Sequence, residues 1–426
     1  MTRRLYPMDR RLFLASLAAV GACSQEDRPP TILLRSGWQT ENIGDIAHTP
    51  GVLHLLERHL PEVKVILWSN ALENGVFAML DRRFPEVEIV SGEPEELAET
   101  FDRADFLLHG SGPGVVARKH VAAWSEATGK PYGIFGVTIS LDGEAASAAM
   151  DPELRTVLEG AAFVFTRESR SLQNVTTAGI EGPQLDFVPD GTFSVDVRDD
   201  KKAADYIEAN ELKDGEFLCV IPRLRYTPYH EFKKVDWSEE KIRTRTAVNE
   251  THAEEDHAKF REVIVRWVRE TGGQVLLCPE MTYQTEIIDP LLFDPLPDRV
   301  KPFVVRRKQY WLTDVAASVY ARAAAVLSFE CHSPIIAAAV GTPCFYVHQP
   351  EDGIKGQMWA DVGLRSFEVE DATGADIAEA VLGVHADPET ARREAAQAAT
   401  FARERQQRGI EFLRMNLAVG EGTTGS

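Results

Sequence analysis

Short apolar runs alternate with stretches in which apolar residues return every three or four positions, and this rhythm holds from Thr31 almost to the end of the chain. Continuous apolar runs suit strands buried on both faces, and the wider spacing suits the helices that cover them. Thr31–Leu34, Val63–Trp68, Val87–Val90, Phe106–Leu108, Tyr132–Val137 and Phe163–Thr166 predict strands. Ala47–His59, Phe77–Arg83, Glu95–Arg103, His120–Thr128 and Pro152–Gly160 predict the helices between them. That order predicts one doubly wound α/β domain ending near Val195. Asp199–Gly215, charged and partly helical, reads as the crossing to a second domain. There Phe217–Ile221, Val275–Cys278, Val300–Val305, Ala325–Leu327 and Cys344–Val347 read as strands, with helices over Glu254–Glu270, Asp314–Ala323 and Ile335–Val340. Arg223–Asn249 reads as an extended surface loop, and Glu389–Leu413 as a long amphipathic helix along the outside. The expected divisions are a leader over 1–30, domains over 31–198 and 199–385, and a helix and tail over 386–426.

The most informative segment runs from Ala325 to Val347. A buried strand is followed at once by the polar residues Ser328, Glu330, His332 and Ser333. Pro334 suits the first turn of a helix, Ser333 its N-cap and Gly341 its end. Open α/β sheets bind ligands at the carboxyl ends of their strands, and a helix N-terminus there favours an anion. A turn whose histidine only caps a helix is the plain alternative. Four other places carry candidate chemistry. Asn42, Gly44 and Asp45 lie between the first strand and first helix, where they either cap or face a ligand. Gly110 and Gly112 relax the backbone after Leu108 for close approach to a ligand. Arg223 and Arg225 leave a buried strand as a pair of guanidiniums suited to phosphate or carboxylate, and Lys355 follows the strand that closes the segment. Arg167, at a strand end, reads in isolation as a surface ion pair. His252 and His257 diverge on a helix and read as a solvated helix start, so no metal site is expected. Arg306-Arg307-Lys308 either steers an anion toward the cleft or is a solvated basic turn.

Charge narrows the partners. Lys and Arg number 46 against 66 Asp and Glu, a formal net charge of −20 across 426 residues, which disfavours nucleic acid and anionic membrane. The N-terminus reads as a targeting segment. Arg10-Arg11 with the apolar run Leu12–Ala22 resembles a twin-arginine export signal, and Val20-Gly21-Ala22-Cys23 resembles the lipobox of bacterial lipoproteins. Export to the periplasm or cell envelope is expected, with membrane contact only through a lipid on Cys23; without a working signal the chain is cytoplasmic. Cys219, Cys278, Cys331 and Cys344 lie in or beside apolar runs and read as buried thiols, although an oxidising compartment permits a bridge.

Taken in order, Asn42-Ile43-Gly44-Asp45, the loop Gly110–Gly114, Tyr132–Val137, Thr166-Arg167-Glu168-Ser169, Asp190-Gly191-Thr192-Phe193, Val220–Arg223 and Ser328–Pro343 with Lys355 resemble the polysaccharide pyruvyl transferase family. The resemblance spans about residues 32–365. It implies two doubly wound, Rossmann-like domains facing a cleft, the B-type glycosyltransferase architecture. It also implies transfer of a pyruvyl unit from phosphoenolpyruvate, as donor substrate and without a cofactor, onto sugar hydroxyls of a cell-envelope polysaccharide. By resemblance His332 is the donor-site acid or phosphate ligand and Asp45 the base. Asn42, Gly44, Gly110, Gly112, Arg167, Arg223, Arg225, Glu330, Ser333 and Lys355 are the binding residues. One position departs from the family's Ser-x-Arg-x-His pattern: Glu330 stands where an arginine suited to the donor carboxylate is expected. The alternatives are a non-catalytic glycan- or phosphate-binding lipoprotein that keeps the fold, and a glycosyltransferase with a nucleotide-sugar donor.

Overall fold

The computed structural model describes residues 28–141 and 150–419, so the leader with Cys23 lies outside the described residues. The first sheet comprises β1 (Thr31–Ser36), β2 (Lys64–Ser69), β3 (Glu88–Val90), β4 (Phe106–His109), β5 (Tyr132–Val137), β6 (Phe163–Thr166) and β7 (Gln184–Phe187). Its order is β3-β2-β1-β4-β5-β6-β7, every pair parallel. The connecting helices are α1 (Ile43–His59), α2 (Val76–Arg83), α3 (Pro94–Arg103), α4 (Arg118–Thr128), α5 (Pro152–Glu159) and α6 (Ser169–Thr177). The order reverses between β1 and β4, so the loops after these two strands open onto the crevice where such sheets hold ligands.

After α7 (Asp200–Ala209), the second sheet is built from β8 (Phe217–Ile221), β9 (Gln274–Leu277), β10 (Val304–Arg306), β11 (Ala325–Ser328), β12 (Cys344–His348) and β13 (Ser366–Glu368), in the parallel order β10-β9-β8-β11-β12-β13. Its helices are α8 (Glu239–Thr271), α9 (Thr313–Tyr320), α10 (His332–Ala339), α11 (Gln357–Val362) and α12 (Gly374–Ala386); α13 (Pro388–Val419) ends the described chain. Three apolar clusters form the core. One lies on the outer face of each sheet, and the third joins α1, α9, α10 and α13 between the sheets. Complete burial of Trp124 and Trp267 in the outer clusters contributes on the order of 2–3 kcal/mol each.

Several sequence expectations change. The loop expected over Arg223–Asn249 ends early, because Ser238 caps α8 through the Lys241 amide and the helix runs 33 residues. His257 therefore sits mid-helix, fully buried, with Nδ1 on the Ala253 carbonyl, rather than at a solvated start. The strand expected from Val300 begins at Val304, since Pro302 sits in a single tight turn. Ser333 is not the cap of α10; the helix starts at His332, and the Ser333 amide donates to the Glu280 carboxylate. The last helix is not merely external. Gln406 of α13 is fully buried and donates to the carbonyls of Pro189 and Asp190, tying the second domain's end to the first. The four described cysteines are free and buried.

Candidate active site

The site forms where loops from both sheets meet. Asn42 caps α1, its Oδ1 accepting from the amides of Gly44 (2.6 Å) and Asp45 (3.1 Å). The Ile43 amide donates to the Glu280 carbonyl and the Thr282 amide to that of Glu41, so the start of α1 is stitched to the loop after β9. At Gly44 the two domains touch closely. A β-carbon there would lie 2.2 Å from Cβ of His332. Glycine at 44 is thus required by the neighbouring domain rather than by a ligand.

Asp190 is the hub of this junction. Its Oδ1 accepts from Ser111 Oγ (3.2 Å) and the Thr192 amide (2.9 Å) and lies 2.9 Å from His48 Nδ1. Its Oδ2 accepts from Arg167 (2.7 Å) and lies 3.6 Å from His332 Nε2. His332 Nδ1 lies 3.7 Å from Glu280, and the two imidazole rings meet edge to face at 4.9 Å. All of these side chains are buried. Burial alone would raise the Asp190 carboxyl, but His48, His332 and Arg167 outweigh it and hold it well below the usual range. Burial holds the His48 pKa down, against the pull of Asp190. Burial also opposes protonation of His332, yet Cys331, Asp190 and Glu280 together keep it well above the ordinary value. The two histidines on one carboxylate are therefore biased oppositely, His48 neutral and His332 cationic. Their Nε2 atoms are buried without a hydrogen-bond partner.

Arg167 is corrected from a surface pair to a wholly buried cation between Asp190 and Glu168. Burial raises the Glu168 carboxyl to about 7 although Arg167 opposes the shift. His48, Asp190 and His332 offer ligand atoms within 4.8 Å of one another. The set does not suit a divalent ion, because both Asp190 oxygens already hold partners and the Arg167 cation sits against one of them.

A second polar cluster lies beside the first. Arg223 reaches Glu330 (3.3 Å), Asp352 (2.8 Å) and Gln349 (2.8 Å), while Gln284 donates to Glu330 (2.7 Å). Glu330 thus finds its partners within the protein, Arg223 and Gln284. Burial, with Glu280 and Asp352 nearby, pushes its pKa up to about 8 against the opposing pull of Arg223. Lys355 lies 3.5 Å from Asp352. Arg225 does not join Arg223 in a clamp; it turns away to Asp256 (3.0 Å) and Glu370 (2.9 Å). The space beside Gly110 and Gly112 is filled by Ser36 and Trp38, so these glycines serve packing. Asp45, half-buried on the first turn of α1, accepts from Gln39, which in turn accepts from Lys233. The carboxylates that approach His332 are Asp190 and Glu280, not Asp45.

His48, Ser111, Glu280 and the role of Asp190 escaped the sequence reading. The only signal was position, since Ser111, Asp190 and Glu280 each follow a strand within a few residues.

A family model for polysaccharide pyruvyl transferases matches residues 42–347. The chain belongs to this family. The matched span contains every member of both clusters except Gln349, Asp352 and Lys355. No curated protein matches. Among solved structures, Anabaena HepE in complex with UDP is similar at 12% identity with a TM-score of 0.54, covering 91% of this chain and 100% of that one. Neisseria meningitidis UDP-GlcNAc 2-epimerase bound to UDP-GlcNAc is similar at 11% identity and 0.55, covering 90% and 100%. S. aureus MnaA with UDP reaches 12% and 0.55, covering 91% and 97%. These likenesses establish the architecture of the pyruvyl transferase family member described here: two Rossmann-like α/β domains of the B-type glycosyltransferase fold.

Proposed function

We propose that this family member transfers a pyruvyl unit from phosphoenolpyruvate onto sugar hydroxyls of a polysaccharide of the cell envelope, with His332 as the proton donor. The observation that carries the reading is the position of His332, buried at the domain junction between the carboxylates of Asp190 and Glu280, which favour its cationic form. Protonation of the terminal methylene by a positioned imidazolium lets one sugar oxygen attack the enol carbon, and the C–O bond to phosphate then breaks, releasing phosphate as a second hydroxyl closes the ketal. His48 and Arg167 act through Asp190, which they fix in place. Loss of the sugar hydroxyl's proton falls to a carboxylate at the cleft, for which Asp45 is the candidate. The leader implies an exported, lipid-anchored protein.

A second reading is favoured by one specific contact. The Arg223–Glu330 pair leaves no spare cation at the position expected to hold the donor carboxylate. That suits a glycan-binding protein that keeps the fold without turnover. Thermal-shift titration separates the two, because a ligand stabilises the fold in proportion to the logarithm of its excess over Kd. The transferase reading expects a shift with phosphoenolpyruvate; a shift with oligosaccharides and none with phosphoenolpyruvate refutes it.

A further inference from the structure

Arg167, Arg223 and Lys355 face carboxylates, whereas the segment 306–308 carries a cation that does not. Among the described residues, Arg306 and Lys308 pair with Asp289 at 3.3 and 3.1 Å, while Arg307 between them has no carboxylate oxygen within ion-pair distance. Its guanidinium lies over the rings of Tyr206 (4.6 Å) and Trp311 (4.4 Å). Its Nε and the hydroxyl of Tyr310 are buried without a hydrogen-bond partner. With Lys202 and Gln309, these residues line an open-sided cavity of about 380 Å³. The two other charges at this wall are already engaged: Lys202 with Asp199 at 2.9 Å, and Asp314 with Arg82.

The cavity wall is hydrogen-bonded to the loops that carry the reaction centre. Trp311 Nε1 donates to the carbonyl of Pro279, the residue before Glu280 (2.9 Å). Thr313 Oγ1 donates to the carbonyl of Ile43, the residue before Gly44 (2.7 Å). One segment, 307–313, thus forms the cavity wall and braces the elements around His332. A stacked guanidinium keeps its planar fork fixed, which suits bidentate contact with a carboxylate. Aromatic walls and an unpaired tyrosine hydroxyl suit the rest of a sugar ring.

We infer that this cavity is a subsite for an acidic sugar, taking the carboxylate of one unit of the polysaccharide. The inference rests on the polysaccharide reading above. A chain of net charge −20 repels acidic polymers overall, so an uncompensated guanidinium beside the cleft fixes where such a polymer docks.

The test is calorimetric titration of the full-length protein with an oligogalacturonate, its carboxyl-reduced neutral counterpart and inorganic phosphate. The acidic oligomer is expected to bind at least tenfold more tightly than the neutral one. Arg307→Gln should remove that preference while leaving neutral binding unchanged. Arg307→Lys, which keeps the charge but loses the fork, should fall between them and carries the test if the glutamine variant does not fold. Equal affinity for acidic and neutral oligomers overturns the inference, as does an unchanged preference in Arg307→Gln. Phosphate binding as tightly as the acidic oligomer, and competing with it, identifies a free-anion site and also overturns it. His332→Ala should abolish turnover without altering this binding. Acid-selective binding in a wild-type protein without turnover would refute the transferase reading and leave the subsite standing.

Discussion

Glu330→Gln is the most revealing substitution, because it removes one ionisable group and little volume from the contact that departs from the family pattern. Glu330 lies 3.3 Å from Arg223 and accepts from Gln284 at 2.7 Å. A donor carboxylate approaching Arg223 must share that cation with Glu330. At about 5 Å from an ionised Glu330 and an effective dielectric near 20, the repulsion is about 3 kcal/mol, roughly two decades of affinity. The pKa of Glu330 is raised to about 8, so the side chain is ionised above that pH and protonated below it. Calorimetric titration of phosphoenolpyruvate into both proteins, in matched buffers from pH 6 to 9, should therefore give a pH-dependent ratio. The variant is expected to bind about tenfold to a hundredfold more tightly at pH 9, with the gap closing toward pH 6. Matching the buffers cancels the titration of the donor's own phosphate. A ratio near one throughout, or weaker binding by the variant, refutes the reasoning. The same raised pKa predicts a stability trend of definite sign. The folded state binds the Glu330 proton more tightly than the unfolded chain, so stability falls as pH rises from about 4.3 to about 8. Glu330→Gln should lack that component.

Three further substitutions probe the junction. Gly44→Ala places a β-carbon 2.2 Å from Cβ of His332 and should destabilise by about 1–3 kcal/mol in thermal denaturation; an unchanged Tm would contradict the contact. Asp190→Asn leaves Arg167 buried without the charge it meets at 2.7 Å and should cost about 3–5 kcal/mol in urea unfolding. A loss below 1 kcal/mol would show that the ion pair is not as buried as described. Gln406→Ala strips donors from the carbonyls of Pro189 and Asp190 and an acceptor from Ser194. It should cost about 1–3 kcal/mol by the same measurement, and a neutral result would mean that α13 does not brace the site.

The alternation of apolar runs and amphipathic stretches was enough to read both sheets, because central parallel strands are buried on both faces and leave an unmistakable signal. Two of the four edge strands were not legible. Gln184–Phe187 and Ser366–Glu368 are partly exposed and carry polar residues, so no apolar run marks them. The first half of α8 escaped for the opposite reason: it is almost wholly solvated and offers no apolar stripe. In the site, His332, Glu330 and Arg223 were legible because each directly follows a buried strand. Asp190 stands out only as part of a motif, and His48 sits inside a helix among apolar neighbours. Their convergence depends on how two sheets and α13 dock, which local spacing does not encode. Arg167 looks like surface from its strand end, but Thr138, Glu168 and Asp190 of its own domain enclose it.

The central claim is that His332 donates a proton during pyruvyl transfer. Its most direct test is single-turnover analysis of the full-length protein with phosphoenolpyruvate and an envelope oligosaccharide. The account predicts phosphate release matched by one pyruvylated sugar per turnover, lost in His332→Ala while donor binding persists. Turnover retained by His332→Ala would contradict it, and so would a wild-type protein that binds the oligosaccharide but never releases phosphate.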